Sequence, residues 1–128
     1  MRIYAREIAF SKIYSHIISS TQAESSDELF FDVGKLNNED KDYIASTVEY
    51  FCNNKKVIFD KIAKISSHYE FSRINKLDLA IICTSVCEIE SQNVPIPVSI
   101  NEAVSLAKKY SSSKSPSFVN GILGEYTK

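Results

Sequence analysis

The sequence predicts an all-helical protein, and two observations lead to that prediction. Residues that break helices are rare, since the 128 residues include only three glycines and three prolines. Apolar residues recur three and four positions apart through most of the chain, which is the spacing of one face of an α-helix. We therefore expect a single domain over residues 1–128, folded as a compact bundle of six or seven helices.

The N-terminal region is predicted to begin with a helix from about Ile3 to Ser20, because apolar residues from Phe10 to Ile17 recur at helical spacing. A polar connection over residues 21–38 follows. It surrounds a short apolar piece over residues 29–31.

The middle of the chain is predicted to hold three more helices. One runs from about Glu39 to Asn53 with Asn38 as its N-cap, and the next from about Lys55 to Ser66. A third, from about Ser72 to Glu90, is apolar almost all round. That pattern is typical of a helix buried at the centre of a bundle.

Two short helices are predicted in the last third. Ser99 and Glu102 have the spacing of a capping box, and Ser115 followed by Pro116 is a second helix start. The segment from Pro95 to Pro97 is expected to be an extended link. A loop rich in serine and lysine lies between the helices, next to the amides of a helix N-terminus. This position is suited to holding a phosphate.

The charge and motif content narrow the function classes. Formal net charge is −1, so RNA binding would require a local basic patch rather than an overall basic field. Cys83 and Cys87 lie four residues apart but have no paired histidines, so we expect small core residues rather than a metal site. No phosphate-cradling glycine loop or nucleophile motif occurs. We expect no catalysis, no cofactor and no metal.

The longest apolar run, from Leu77 to Ile89, contains two acids and is too short to cross a bilayer. The N-terminus does not resemble a signal peptide, because charged residues interrupt its apolar pattern. An odd number of cysteines without a CxxC pair favours reduced thiols. We therefore expect a cytoplasmic protein.

A few basic and aromatic residues are candidates for an RNA site. Arg2 and Arg6 lie four apart on the first helix, while Tyr14 and Phe118 supply aromatic faces. Single-stranded RNA is usually held by stacking on such faces and by cations at its backbone. The alternative is that Arg6 pairs internally and that both aromatic residues only pack. Asp78, a lone acid in an apolar stretch, faces either a partner or an internal donor.

Four segments resemble the NusB family of bacterial transcription antitermination factors. The C-terminal segments INEAVSLAKKY and SPSFVNGILG resemble the signature of that family. AREIAFSKIYS resembles its first helix, and INKLDLAIICTSVCEIE its central helix. The similarity runs in register over about residues 2–124. It implies a NusB-like fold of two perpendicular three-helix units, and binding rather than catalysis.

The resemblance also implies partners. Members of the family pair with the small-subunit ribosomal protein NusE and grip boxA RNA of ribosomal RNA operons, within the antitermination complex of RNA polymerase. Matching positions implicate Arg6, Tyr14, Lys114, Phe118 and Asn120 in RNA binding, and Asp78 in partner binding. The arginine-rich arm of the family is reduced here to Arg2 and Arg6. Three alternatives stay open: a helical protein-binding adaptor that has lost RNA recognition, a stand-alone targeting module similar to the NusB-like domains fused to RNA methyltransferases, and a homodimer in the absence of the partner.

Overall fold

The structure is a computed structural model that describes residues 2–19, 33–66 and 70–128. This part of the chain is helical throughout, with no strand. The five α-helices are α1 (Arg2–Ser19), α2 (Asn38–Ile65), α3 (Lys76–Gln92), α4 (Ile96–Tyr110) and α5 (Ser115–Tyr126). Two 3-10 turns, Val33–Lys35 and Phe71–Arg73, precede α2 and α3. The all-helical prediction is therefore confirmed. The apolar piece at residues 29–31 lies outside the described residues.

The predicted count of six or seven helices is wrong for the described residues, chiefly because α2 is one helix of 28 residues where two were expected. No glycine or proline interrupts it near residue 54. The side chain of Asn54 donates to the backbone oxygen of Tyr50 at 2.9 Å, so this asparagine is accommodated within the helix. The N-cap is Asn37, one residue earlier than expected, and it forms a capping box with Asp40.

The start of α4 also differs from the prediction. Pro95 is its N-cap, and Ile96 and Pro97 are already helical, so the expected extended link and the Ser99–Glu102 capping box are both wrong. Proline is tolerated in a first helical turn because its missing N–H would have no acceptor there. Ser99 instead lies inside the helix and is fully buried.

The starts of α3 and α5 also differ from the prediction. α3 begins at Lys76 rather than Ser72, because Asn75 caps it by accepting from the amide of Leu77 at 2.8 Å. In α5, Lys114 occupies the N-cap position and Ser115 is the first helical residue.

Helix α3 lies at the centre of the fold, as predicted. It contacts α1, α2, α4 and α5. All eleven residues from Asp78 to Glu88 are buried. In the described part of the chain, no helix has the length and apolar character needed to span a membrane.

Candidate nucleic-acid interface

A buried polar cluster, here called the Glu88 hub, joins four helices. The carboxylate of Glu88 in α3 is fully buried. It accepts from the Arg6 Nε of α1 at 3.0 Å and from the Ser99 hydroxyl of α4 at 2.5 Å. The Tyr43 hydroxyl of α2 donates to the same carboxylate. A buried charge is tolerated when it is paired and hydrogen-bonded in this way.

The hub decides the position of Arg6. This side chain is 5% exposed, and its second acidic neighbour is Glu102, at 3.6 Å. The alternative of an internal ion pair is therefore what the structure contains. In this conformation the guanidinium cannot reach a phosphate, so the RNA surface proposed below does not include Arg6.

A row of aromatic rings connects α1 to the end of α4. The ring of Phe10 lies 6.4 Å from that of Tyr14 and 5.4 Å from that of Tyr110, measured between centroids. Tyr14 is half-buried and Tyr110 is exposed. Tyr14 therefore has a packing role and also lies near the C-terminal part of the fold. Arg2 lies at the start of α1, and its side chain is outside the described part of the structure.

Glu7 organises the outer end of this row. Its carboxylate accepts from the Lys109 ammonium at 2.5 Å and from the Tyr110 hydroxyl at 3.1 Å. The hydrogen bond to Glu7 raises the pKa of Lys109. Burial, and then the charge of Glu7, raise the pKa of Tyr110. Near neutral pH, Lys109 is therefore charged and Tyr110 is neutral.

Beyond the row lies a surface depression of about 190 Å³, here called the loop cleft. It is formed by the 3-10 turn before α3, the start of α3, the loop after α4 and the start of α5. Its lining residues are Arg73, Ile74, Asn75, Asp78, Ser112, Lys114, Ser115 and Phe118. The structure thus brings together three of the predicted site residues, Asp78, Lys114 and Phe118. Asn120 is exposed on α5 and does not line the cleft.

Asp78 lies in the buried part of the loop cleft. It is 6% exposed, and its carboxylate accepts from the Ser111 hydroxyl at 2.6 Å. The Ser115 hydroxyl in turn donates to Ser111 at 2.9 Å. The internal hydrogen bond that the sequence left open is therefore present, and a role of Asp78 in partner binding stays a prediction.

The amides at the start of α5 offer less to a phosphate than the sequence suggested. The amide of Ser115 donates to the backbone oxygen of Ser112 at 3.1 Å, and that of Phe118 to Lys114 at 3.3 Å. Pro116 has no N–H. Side chains lining the loop cleft must therefore supply most of any phosphate contact.

Arg73 is a lining residue of the loop cleft that sequence reasoning missed. It lies 41 positions before Lys114 in the sequence, and only the packing of the turn before α3 against the start of α5 brings them to one cleft. The charged lining residues are two cations and one carboxylate, whereas the whole chain carries a formal charge of −1. The loop cleft thus carries a small local excess of positive charge at its edge on a chain without an overall basic field.

The cysteines give no sign of a metal centre. Burial raises the pKa of the Cys83 thiol well above its ordinary value, and Cys87 is buried beside it in α3. Cys52 on α2 lies 3.8 Å from the ring nitrogen of His16. Within the described ranges, no group of three or more histidine, cysteine or acidic residues could hold a metal ion. His68 lies outside those ranges.

Comparisons with known proteins agree with this architecture. The NusB family model matches residues 4–128. The transcription antitermination protein NusB of Acetivibrio thermocellus is 39% identical over 97% of this chain and 86% of its own length. Among solved structures, T. maritima NusB aligns with a TM-score of 0.85 at 23% identity, covering 98% of this chain and 89% of the other. A chain in the crystal structure of a plectonemic RNA supercoil aligns with a TM-score of 0.81 at 24% identity, covering 98% and 93%. At these identities the two structures establish the fold, and the family model with the curated relative establishes the family: the chain belongs to the NusB family.

Proposed function

We propose that this protein is a transcription antitermination factor that binds boxA-type RNA of ribosomal RNA operons together with the ribosomal protein NusE. Membership of the NusB family supports the general role, and the curated relative is itself named as an antitermination protein. The observation that carries the RNA part of the proposal is the loop cleft. There Lys114 and Phe118, a cation and an aromatic ring, line the same depression.

The proposed RNA surface consists of the loop cleft and the aromatic row from Tyr14 to Tyr110. A half-buried aromatic side chain such as Phe118 keeps part of its ring accessible, and a base can stack on it. Lys114 is exposed at the N-cap of α5, where the helix dipole also favours a negative group. Stacking and backbone neutralisation are the two contacts by which single-stranded RNA is usually bound.

The proposal also assigns positions to the other predicted residues. Arg2 extends the RNA surface along α1, and Asn120 extends it along α5. Asp78 contributes to the NusE-binding side. The fold proposed is one domain of two perpendicular three-helix units, in keeping with the contacts of α1 with α2 and of α4 with α5. Through this complex the protein acts on RNA polymerase in the cytoplasm.

The decisive experiment is fluorescence anisotropy with a labelled boxA-like RNA and a scrambled control, each with and without the ribosomal protein. We expect selective binding of the boxA-like RNA that tightens when the ribosomal protein is added. If about three phosphates are neutralised, raising the salt concentration from about 50 to 200 mM weakens binding about twentyfold. Equal affinity for the two RNAs would overturn the proposal.

The same experiment distinguishes the adaptor alternative. A protein that kept the fold but lost RNA recognition would bind the ribosomal protein and show no preference between the RNAs. Lys114→Gln separates the two cases further. It weakens RNA binding in the antitermination factor and has no effect on partner binding in the adaptor, while Lys64→Gln, an exposed charge near the end of α2, serves as the control.

A further inference from the structure

We infer that Arg73 is an RNA-phosphate contact, and that it forms a two-cation rim with Lys114 around the loop cleft. This inference rests on the proposed function, because it concerns how that same site holds its RNA. Arg73 is not among the residues that the resemblance implicates in RNA binding. The ligand class is the phosphodiester backbone of a single-stranded RNA.

The backbone of Arg73 is held in place while its side chain is exposed. Arg73 ends the 3-10 turn Phe71–Arg73, where its amide donates to the backbone oxygen of Glu70 at 2.9 Å. The next residue, Ile74, is buried, and its amide donates to Phe71 at 3.1 Å. The side chain of Arg73 is 79% exposed. A guanidinium on a fixed turn is therefore presented to solvent at the edge of the cleft.

The protein partner of this guanidinium is weak. Its nearest carboxylate is that of Glu70, at 3.8 Å, and this side chain is 74% exposed. Exposed pairs at such a distance contribute little, because water and salt screen them. A guanidinium binds phosphate with two parallel N–H donors, which is a stronger contact. Arg73 can therefore exchange Glu70 for an RNA phosphate.

Few groups can contact a phosphate at the loop cleft itself, which raises the importance of Arg73 there. Arg6 is buried in the Glu88 hub, and Lys109 is held by Glu7. The first amides of α5 are largely hydrogen-bonded already. Among the described residues that line the cleft, Arg73 and Lys114 are the two cations.

The loop cleft has room for a base in its interior and for phosphates at its rim. Its volume of about 190 Å³ lies below the roughly 300–1,000 Å³ of a typical small-molecule pocket, so we expect it to take one base rather than a strand. The carboxylate of Asp78 lies in the buried part and repels a phosphate from there. We expect a base to enter beside Phe118, with its flanking phosphates held by Arg73 and Lys114.

The test compares Arg73→Gln and Arg73→Lys with a matched control, Lys56→Gln. Lys56 is also an exposed cation with an acidic neighbour, Asp60 at 3.0 Å, but it does not line the loop cleft. Binding of the boxA-like RNA is measured by anisotropy between about 50 and 200 mM salt, without the ribosomal protein. Binding of the ribosomal protein to each variant is measured in a separate titration. Thermal melting of each variant shows that it is folded.

We expect Arg73→Gln to reduce the slope of log affinity against log salt by about 0.7, the value for one phosphate on a single strand. Taking the affinities of the wild type and the variant to coincide at about 1 M salt, this corresponds to about eightfold weaker binding at about 50 mM and about threefold weaker binding at about 200 mM. Arg73→Lys should keep the slope with an intermediate affinity, and Lys56→Gln should match the wild type.

Two outcomes overturn the inference while the proposed function stands. In the first, the wild type prefers the boxA-like RNA and Arg73→Gln retains the full salt slope. In the second, Arg73→Gln binds RNA normally but binds the ribosomal protein less tightly, which makes Arg73 a protein contact. If the wild type shows no preference for the boxA-like RNA, the proposed function itself fails, and this result is distinct from both.

Discussion

The Glu88 hub and the loop cleft are built from similar side chains, and they differ in their access to water. Each contains an arginine, a carboxylate, a serine hydroxyl and an aromatic residue. In the hub, Glu88 is fully buried and its donors come from three other helices. In the cleft, Asp78 has a serine donor of its own, while Arg73 points into solvent with a weak partner.

Burial therefore decides whether an arginine of this protein is an internal ion-pair partner or a group available to a ligand. Removing a guanidinium from water is costly, so Arg6 persists in the interior only because Glu88 compensates its charge. The guanidinium of Arg73 remains in water, so it bears no desolvation cost and is available to a ligand. The sequence places both Arg6 and Arg73 near helix starts and does not distinguish them. Three substitutions in the two regions test this comparison, and a fourth outside them serves as a reference.

The largest effect is expected from Glu88→Ala. This change leaves Arg6 buried without its carboxylate and deprives Tyr43 and Ser99 of their acceptor. We expect the free energy of unfolding, measured in urea, to fall by about 3–5 kcal/mol. Glu102→Ala is the control, since Glu102 is 32% exposed and lies 3.6 Å from Arg6; its cost should stay below about 1 kcal/mol. A wild-type stability for Glu88→Ala would show that the hub is not a structural element.

Phe118→Leu should affect the other region. Leucine preserves much of the packing but removes the aromatic face, and stacking on an aromatic residue contributes about 1–3 kcal/mol per base. Affinity for the boxA-like RNA should fall accordingly, with a smaller change in stability. Phe10→Leu should show the opposite pattern, a loss of stability with little change in RNA affinity, because Phe10 lies in the core and is 4% exposed. If Phe118→Leu lowers stability and leaves RNA affinity unchanged, Phe118 is a packing residue only.

Asn75→Ala tests whether every lining residue of the loop cleft serves RNA. Asn75 caps α3, accepting from the amide of Leu77 at 2.8 Å. Loss of this cap should cost about 1 kcal/mol of stability, whereas Asn75→Gly should cost only a few tenths. RNA affinity per folded molecule should not change in either variant. A specific loss of affinity would add Asn75 to the RNA surface.

The smallest effect concerns His16, which lies outside both regions and serves as a reference. Burial, followed by the charges of Lys55 and Lys12, lowers the pKa of His16 below its ordinary value of 6.5. Below pH 6.5 the unfolded chain therefore binds a proton more readily than the folded one, so stability falls as pH decreases through this range. The wild type should lose slightly more stability between pH 7 and 5 than His16→Gln, as measured by urea unfolding at each pH. Parallel pH profiles for the two proteins would contradict the assignment.

Much of the fold followed from local patterns. The apolar spacing in α1 predicted a helix, and the nearly continuous apolar character of α3 predicted that this helix is central. Both patterns reflect burial directly. The predicted helix count is wrong because the polar stretch around residue 54 suggests a break between two helices, whereas Asn54 is accommodated within one helix. The predicted start of α4 is wrong because Ser99 has the sequence context of an N-cap, whereas its hydroxyl donates to Glu88 of another helix.

The candidate site was predictable in part. Lys114, Phe118 and Asp78 were identified from the sequence, and the structure brings them to one cleft. Arg73 was not identified, since nothing near it in the chain indicates a neighbour 41 positions away. No local pattern could report that proximity.

The sequence by itself determined the helical class, the identity of the central helix and the absence of an overall basic field, because composition and periodicity are local properties. The tertiary structure alone decided that Arg6 is an interior partner of Glu88 and that Arg73 is an exposed neighbour of Lys114. The physical reason is that the energy of a charge depends on its access to water and on its nearest counter-charge. Both are set by residues that are distant in the chain and become neighbours only when the helices pack.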